Sequence, residues 1–260
     1  MYTRQLSVCK FAGEKLPTIF RMLICVFSFL SATLPLHSQP GDENKITELN
    51  YYFVERYGPD QNLINGALYI NLHRQATGHK FLGEDVFTTG RVVLDNREYN
   101  DLRLKYDLYN QEVILQYDFL KGGTKEIILN SLRIQEFELE GRVFRRIHFP
   151  ETGALFFQVI AEGDIGCYHH YLKEIIPKVS GEHSLLEFSQ TKRKSFIARY
   201  SELHKFKGSR SFTRIFPEYR SQLQKYFRQN KIRIRKATDA EMKGVIQYCH
   251  NLLRNPSEDQ

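Results

Sequence analysis

The chain has 260 residues, 42% of them hydrophobic and 26% charged, with a formal net charge of +7 and four cysteines. A chain of this size can bury enough apolar surface for one large domain or two small ones, which excludes a mini-domain dependent on disulfide or metal staples. The charge is spread unevenly, and its placement says more than its total.

At the N-terminus, Arg4, Lys10, Lys15 and Arg21 precede an uncharged apolar run from Met22 to Leu36, which exits through His37-Ser38-Gln39-Pro40. The run is shorter than the roughly 20 residues that span a bilayer, so residues 1–38 read as a secretory signal peptide cleaved near Ser38/Gln39. Leu36 stands where a small residue is usual, which leaves an uncleaved anchor as the alternative. Cys25 lies too near the start of the run for a lipidation site. The expected location is periplasmic or secreted. Cys9 and Cys25 depart with the signal, and Cys167 and Cys249 remain, either as a disulfide formed in an oxidising compartment or as buried thiols. The mature chain then carries 33 basic and 29 acidic residues.

Residues 39–190 read as an antiparallel meander. Tyr51 to Tyr57 is aromatic, and Asn65-Gly66 opens a hairpin-like unit with Ala67 to Leu72. From Thr89 onward, short apolar runs alternate with turn residues every 10 to 14 positions, the rhythm of strands. Asp95-Asn96 tolerates the positive φ of a tight hairpin between Arg91–Leu94 and Glu98–Tyr106. Glu112–Tyr117, a Gly122-Gly123 turn, Lys125–Leu129 and Leu132–Leu139 follow, and the alternation slips by one between Ile134 and Phe137, predicting a bulge. Further strands are expected over Arg142–Phe149, Ala154–Ile160 and Ile165–Leu172. So long a meander suggests a curved sheet or open barrel, because a flat one leaves two exposed edges.

Residues 191–260 differ in texture. Ser195–Tyr200 still reads as a strand, but Phe212, Ile215, Phe216, Tyr219, Leu223, Tyr226 and Phe227 fall at intervals of three and four, as on an amphipathic helix. Lys231 to Lys236 alternates with period two, predicting a short strand or extended link. Thr238-Asp-Ala-Glu241 is a capping box that starts a final helix with Met242, Val245, Ile246, Cys249, Leu252 and Leu253 on its apolar face. The fold class is therefore α+β and β-rich, with a helix–strand–helix segment packed on the sheet.

The chain lacks the short signatures of nucleophile elbows, zinc proteases, phosphate loops and calcium loops, and no cofactor is expected. Cys167-Tyr168-His169-His170-Tyr171 offers soft ligands, with Cys249 or His250 as further candidates, but on a strand Cys167 and His169 share one face while His170 points away. Two ligands do not make a metal site. Asp107, Asp118, Glu136 and Glu138 lie on strands and are expected to face solvent, and His79 reads as a turn or packing residue.

The basic tract has a clearer consequence. Residues 192–236 hold fifteen Lys and Arg against Glu202 and Glu218, a local charge of +13, which leaves the rest of the mature chain at −9. Lys192, Arg193, Lys194, Arg210, Arg214, Arg228, Arg233 and Arg235 are candidates for a face that binds polyanions such as anionic lipid or acidic glycan. Nucleic acid is not expected for an exported chain. The competing reading is a solvated face whose charge compensates the acidic sheet.

Several stretches carry a resemblance: the exit Leu36-His37-Ser38-Gln39, then Asn65-Gly66-Ala67-Leu68-Tyr69, Gly78-His79-Lys80-Phe81-Leu82, and Phe87 through Leu94. Tyr106-Asp-Leu-Tyr109 with Glu112–Leu115 belongs with them, as do Phe216-Pro-Glu-Tyr219, Leu223, Tyr226, Asn230 and Lys231. In these the chain resembles a family of small exported proteins of unknown function common in Bacteroidota-type bacteria. The resemblance implies export and a strand-rich body, and carries over no catalytic residue, ligand or partner. The expected function is a non-enzymatic cell-envelope or secreted module whose sheet binds a ligand or partner. The alternatives are a polyanion or membrane-surface binder working through residues 192–236, and a hydrolase with a dispersed site.

Overall fold

Hairpins form where the turn residues permit them. In the computed structural model, which describes residues 60–118, 122–180, 183–200 and 202–254, Asp95 and Asn96 take φ of 49° and 64°. Positive φ at both central positions matches the right-handed twist of the flanking strands, here β2 (Thr88–Leu94) and β3 (Arg97–Asp107). Glu140 and Gly141, at 53° and 70°, do the same for β6 (Ile134–Leu139) and β7 (Arg142–Phe149). The predicted bulge is present: Val93 faces Glu136 but Leu94 faces Ile134, which leaves Gln135 as the extra residue. Its side-chain oxygen accepts from the Asn96 N–H at 2.8 Å, so the bulge braces the turn opposite it. The expected signal peptide over residues 1–38, with Cys9 and Cys25, and the Tyr51–Tyr57 stretch lie outside the described residues.

One antiparallel sheet of eleven strands results. Besides those above it contains β1 (Ala67–Leu68), β4 (Glu112–Asp118), β5 (Thr124–Ile128), β8 (Gly153–Ala161), β9 (Ile165–Leu172), β12 (Lys192–Arg199) and β13 (Glu202–Phe206). The order is β1-β5-β4-β3-β2-β6-β7-β8-β9-β12-β13. Residues 129–133 connect β5 to β6, four strand spacings away, about 19 Å in a flat sheet. Part of that link is itself a turn, with the Arg133 N–H donating to the Asn130 carbonyl at 3.0 Å. So short a connection closes only because the sheet curls. It does not become a barrel, since β1 and β13 stay at opposite ends of the order. A separate hairpin, β10 (Ile175–Ser180) with β11 (His183–Phe188), stands apart from the sheet.

The curled sheet holds two apolar clusters. The first gathers Leu104, Tyr106, Val113, Leu115, Phe137, Phe144 and Phe156, with the Phe137 and Phe144 rings stacked 4.8 Å apart. The second lies between Ile160, Ile165, Cys167 and Ile197 of the sheet and the C-terminal helices. The texture change at residue 190 is therefore one of surface charge, since β12 pairs along the whole of β9.

The amphipathic run is three pieces, not one helix: α1 (Ser209–Thr213), a 3-10 turn (Pro217–Tyr219) and α2 (Arg220–Gln229). Pro217 lacks an amide hydrogen and cannot sit inside a helix, yet Phe212, Phe216, Leu223 and Phe227 all reach the second cluster. Lys231 to Lys236 contains no strand; Ile234–Lys236 is a 3-10 turn that buries Ile234. Helix α3 (Asp239–Arg254) begins at the expected capping box, with the Thr238 N–H donating to the Glu241 carboxylate at 2.7 Å and the Glu241 N–H to Thr238 Oγ1 at 3.2 Å. It lays Met242, Val245, Ile246 and Cys249 against β8 and β9.

Candidate anion-binding face

Several charges of the sheet are paired within it. Glu136 accepts from Arg91 at 2.7 Å and from Arg145 at 2.8 Å, and Arg145 also reaches Glu162. Asp107, expected in solvent, is instead wholly buried: its Oδ2 sits 2.6 Å from Lys80 Nζ, which is 3% exposed. Its Oδ1 accepts the Tyr109 and Asn110 amides at 2.9 Å each, so the carboxylate closes the β3–β4 turn. His79 stacks on Phe81 and accepts that residue's N–H, in keeping with a packing role.

The basic tract behaves otherwise. Lys192 pairs with Glu174 at 2.5 Å. Arg193 donates to the carbonyls of Ala237 at 3.2 Å and Arg235 at 3.4 Å, and so ties β12 to the start of α3. Arg199 pairs with Glu218. The other twelve of the fifteen, including Lys194, Arg210, Arg214, Arg228, Arg233 and Arg235, have no carboxylate partner among the described residues, and all twelve side chains are exposed.

The fold gathers part of this set around three grooves. One, of about 780 Å³, runs between the outer edge of β13 and the Ile215–Glu218 segment, with the buried Arg199 at its base, the exposed Tyr200 at its rim, and Lys205 and Arg214 also lining it. A second, of about 390 Å³, is lined by Lys207, Arg210, Arg214 and Arg235 with no carboxylate. The third, of about 570 Å³, lies along α2 beside Lys225, Gln229 and Tyr248. Of the predicted residues, Arg210, Arg214 and Arg235 meet at one groove; Lys192 and Arg193 are engaged elsewhere, and Lys194, Arg228 and Arg233 line none of the three. Arg199 belongs to the site although only the whole tract's charge pointed to it; its signal was an arginine in phase with Ile197 and Ser195, on the buried side of β12.

A buried polar seam separates the two apolar clusters. Tyr171 Oη donates to Gln158 Oε1 at 2.7 Å, and Gln158 Nε2 donates to Asp239 Oδ2 at 2.6 Å, which pins the start of α3 to β8. His169 pairs with Gln158 across β8 and β9, is 1% exposed, and contacts the Tyr168 carbonyl through Nδ1 at 3.0 Å. Its Nε2 is buried with no partner among the described residues. Burial first, and the Arg193 charge second, lower its pKa to about 4. The imidazole is therefore neutral at pH 7.

Cys167 on β9 and Cys249 on α3 are free, buried thiols, the second of the two arrangements the sequence left open. Burial pushes both up to about 12, which suppresses the thiolate that disulfide exchange requires. Among the described residues no three His, Cys, Asp or Glu side chains converge as metal ligands, and no helix is long and apolar enough to cross a membrane. The chain matches no family model, no curated protein and no solved structure.

Proposed function

We propose that the protein is an exported binding module that holds a polyanion on its basic C-terminal face. The observation that carries this reading is the contrast in charge pairing between the body of the sheet and the basic tract: Arg91 and Arg145 share Glu136, whereas thirteen of fifteen cations in residues 192–236 find no carboxylate among the described residues, Arg193 donating only to carbonyls. Like charges kept close repel, by about 1 kcal/mol per pair at 4 Å in water. A face that carries them unpaired is disposed to take counterions or an anionic partner, and gains most from a ligand that brings several negative charges at once.

The test is binding of the full chain to phosphatidylglycerol vesicles, phosphatidylcholine vesicles and heparin. Binding to an anionic probe should fall steeply between about 50 and about 300 mM salt, as the screening length contracts, and Arg210→Glu with Arg214→Glu should abolish it. Salt-independent binding, or none to any anionic probe, would refute the proposal.

A further inference from the structure

The three grooves adjoin through shared lining residues. Ser211 and Arg214 line both the groove of Arg210 and Arg235 and the groove along β13. Glu218 lines both the β13 groove and the one beside Lys225, and thus stands as the partition between them. Cations recur along the whole length: Lys207, Arg210 and Arg235 at one end, Arg214 and Lys205 in the middle, Lys225 beyond the partition.

Arg199 lies at the base of the middle groove, 8% exposed. Its Nη1 donates to the Ile215 carbonyl at 2.9 Å, and its Nη2 donates to the Tyr200 hydroxyl at 3.1 Å and to the Glu218 carboxylate. Its Nε is buried without a partner among the described residues. The guanidinium sits 4.6 Å from the centre of the Tyr200 ring, which is itself 79% exposed at the rim. A flat anionic surface cannot reach a cation at that depth, whereas a chain lying in the groove can. Glu218, carried on a three-residue 3-10 turn, places a carboxylate where such a chain's anionic group would bind.

We propose that the grooves form one track that binds an extended acidic polysaccharide, and that Glu218 is an internal stand-in anion which a carboxylate or sulfate of the ligand displaces from Arg199, joining the middle groove to the one beyond it. The proposal rests on the polyanion reading above. Tyr200 offers a face to a sugar ring, and Glu202 in the same groove can accept from sugar hydroxyls. A polymer of phosphate alone offers neither ring nor hydroxyl and would be repelled by Glu202.

The experiment measures affinities of the full chain for a length series of heparin oligosaccharides, with polyphosphate, single-stranded DNA and phosphatidylglycerol vesicles as parallel arms. Affinity for the oligosaccharides should rise with length and level off once the track is filled. Glu218→Gln should bind the long oligosaccharides about fivefold more tightly or better, while Glu202→Gln, the same change of charge in the same groove, should gain less. Glu218→Asp keeps the charge but shortens the reach, and should also bind more tightly than the native chain; thermal unfolding of each variant confirms the fold. Equal gains from Glu218→Gln and Glu202→Gln, with none from Glu218→Asp, would overturn the stand-in role. Stronger binding to polyphosphate, DNA or vesicles would overturn the polysaccharide. If no anion binds, the polyanion reading fails with it; if anions bind without length dependence, only the track fails.

Discussion

His169 makes the fold acid-sensitive by an amount that its surroundings define. The groups facing it are Arg193 and Ser195 of β12, Gln158 of β8, Tyr171 of its own strand and Asp239 of α3. Its folded pKa of about 4 lies below the ordinary 6.5 of an unfolded chain. At pH 7 both states are neutral and the residue contributes no pH dependence. As pH falls below 6.5 the unfolded chain takes up a proton that the folded chain refuses, so stability declines, and the loss levels off below about pH 4 where both states are protonated. Between pH 7 and pH 4.5 the linkage amounts to about 2–3 kcal/mol. His170, lowered chiefly by burial, acts in the same direction. Urea denaturation of the native chain and of His169→Phe across this range isolates the term. The Phe variant removes the titration together with the orphan Nε2, so its curve should be flatter by about 2 kcal/mol. Parallel pH profiles for the two proteins would refute the reasoning.

Other consequences follow from the packing. Phe212 is fully buried between Phe206, Phe216 and Phe227; Phe212→Ala should cost about 3–5 kcal/mol in chemical denaturation and loosen the basic face. Lys80→Met leaves the Asp107 carboxylate buried without its counterion and should cost about 3–5 kcal/mol at pH 7, measured by thermal or urea unfolding. Cys167 and Cys249 should be silent to a thiol reagent in the native protein and react in denaturant, and a non-reducing gel should show no crosslink between them. Thr238→Ala should cost about 1 kcal/mol through loss of the α3 cap, read as a lower melting temperature.

Local chemistry was legible wherever a few adjacent residues decide the outcome. Asp95-Asn96, the slip at Gln135 and the Thr238–Glu241 box each announced a turn, a bulge and a helix start because their geometry is set within four residues. Two local signals were present but outweighed: Pro217 in a helical pattern, which breaks it, and the Asp107-Leu-Tyr-Asn110 spacing, in which the carboxylate closes its own turn and is buried. The strands β10, β11 and β13 had weaker patterns: Ile176, Leu185 and Leu186 are apolar yet exposed, and β13 buries only Phe206.

By itself, then, the sequence determined a strand-rich chain with capped helices at its end and a C-terminal third that is strongly basic, because turn conformations, period-two alternation and charge are properties of neighbouring residues. Only the tertiary structure decided that the strands make one curled, unclosed sheet, since the β5–β6 connection is a matter of distance between elements far apart in the chain. It alone decided which cations are neutralised and which line a groove: an ion pair depends on whether a carboxylate arrives within reach, and Glu218 arrives at Arg199 while no described carboxylate arrives at Arg210, Arg214 or Arg235.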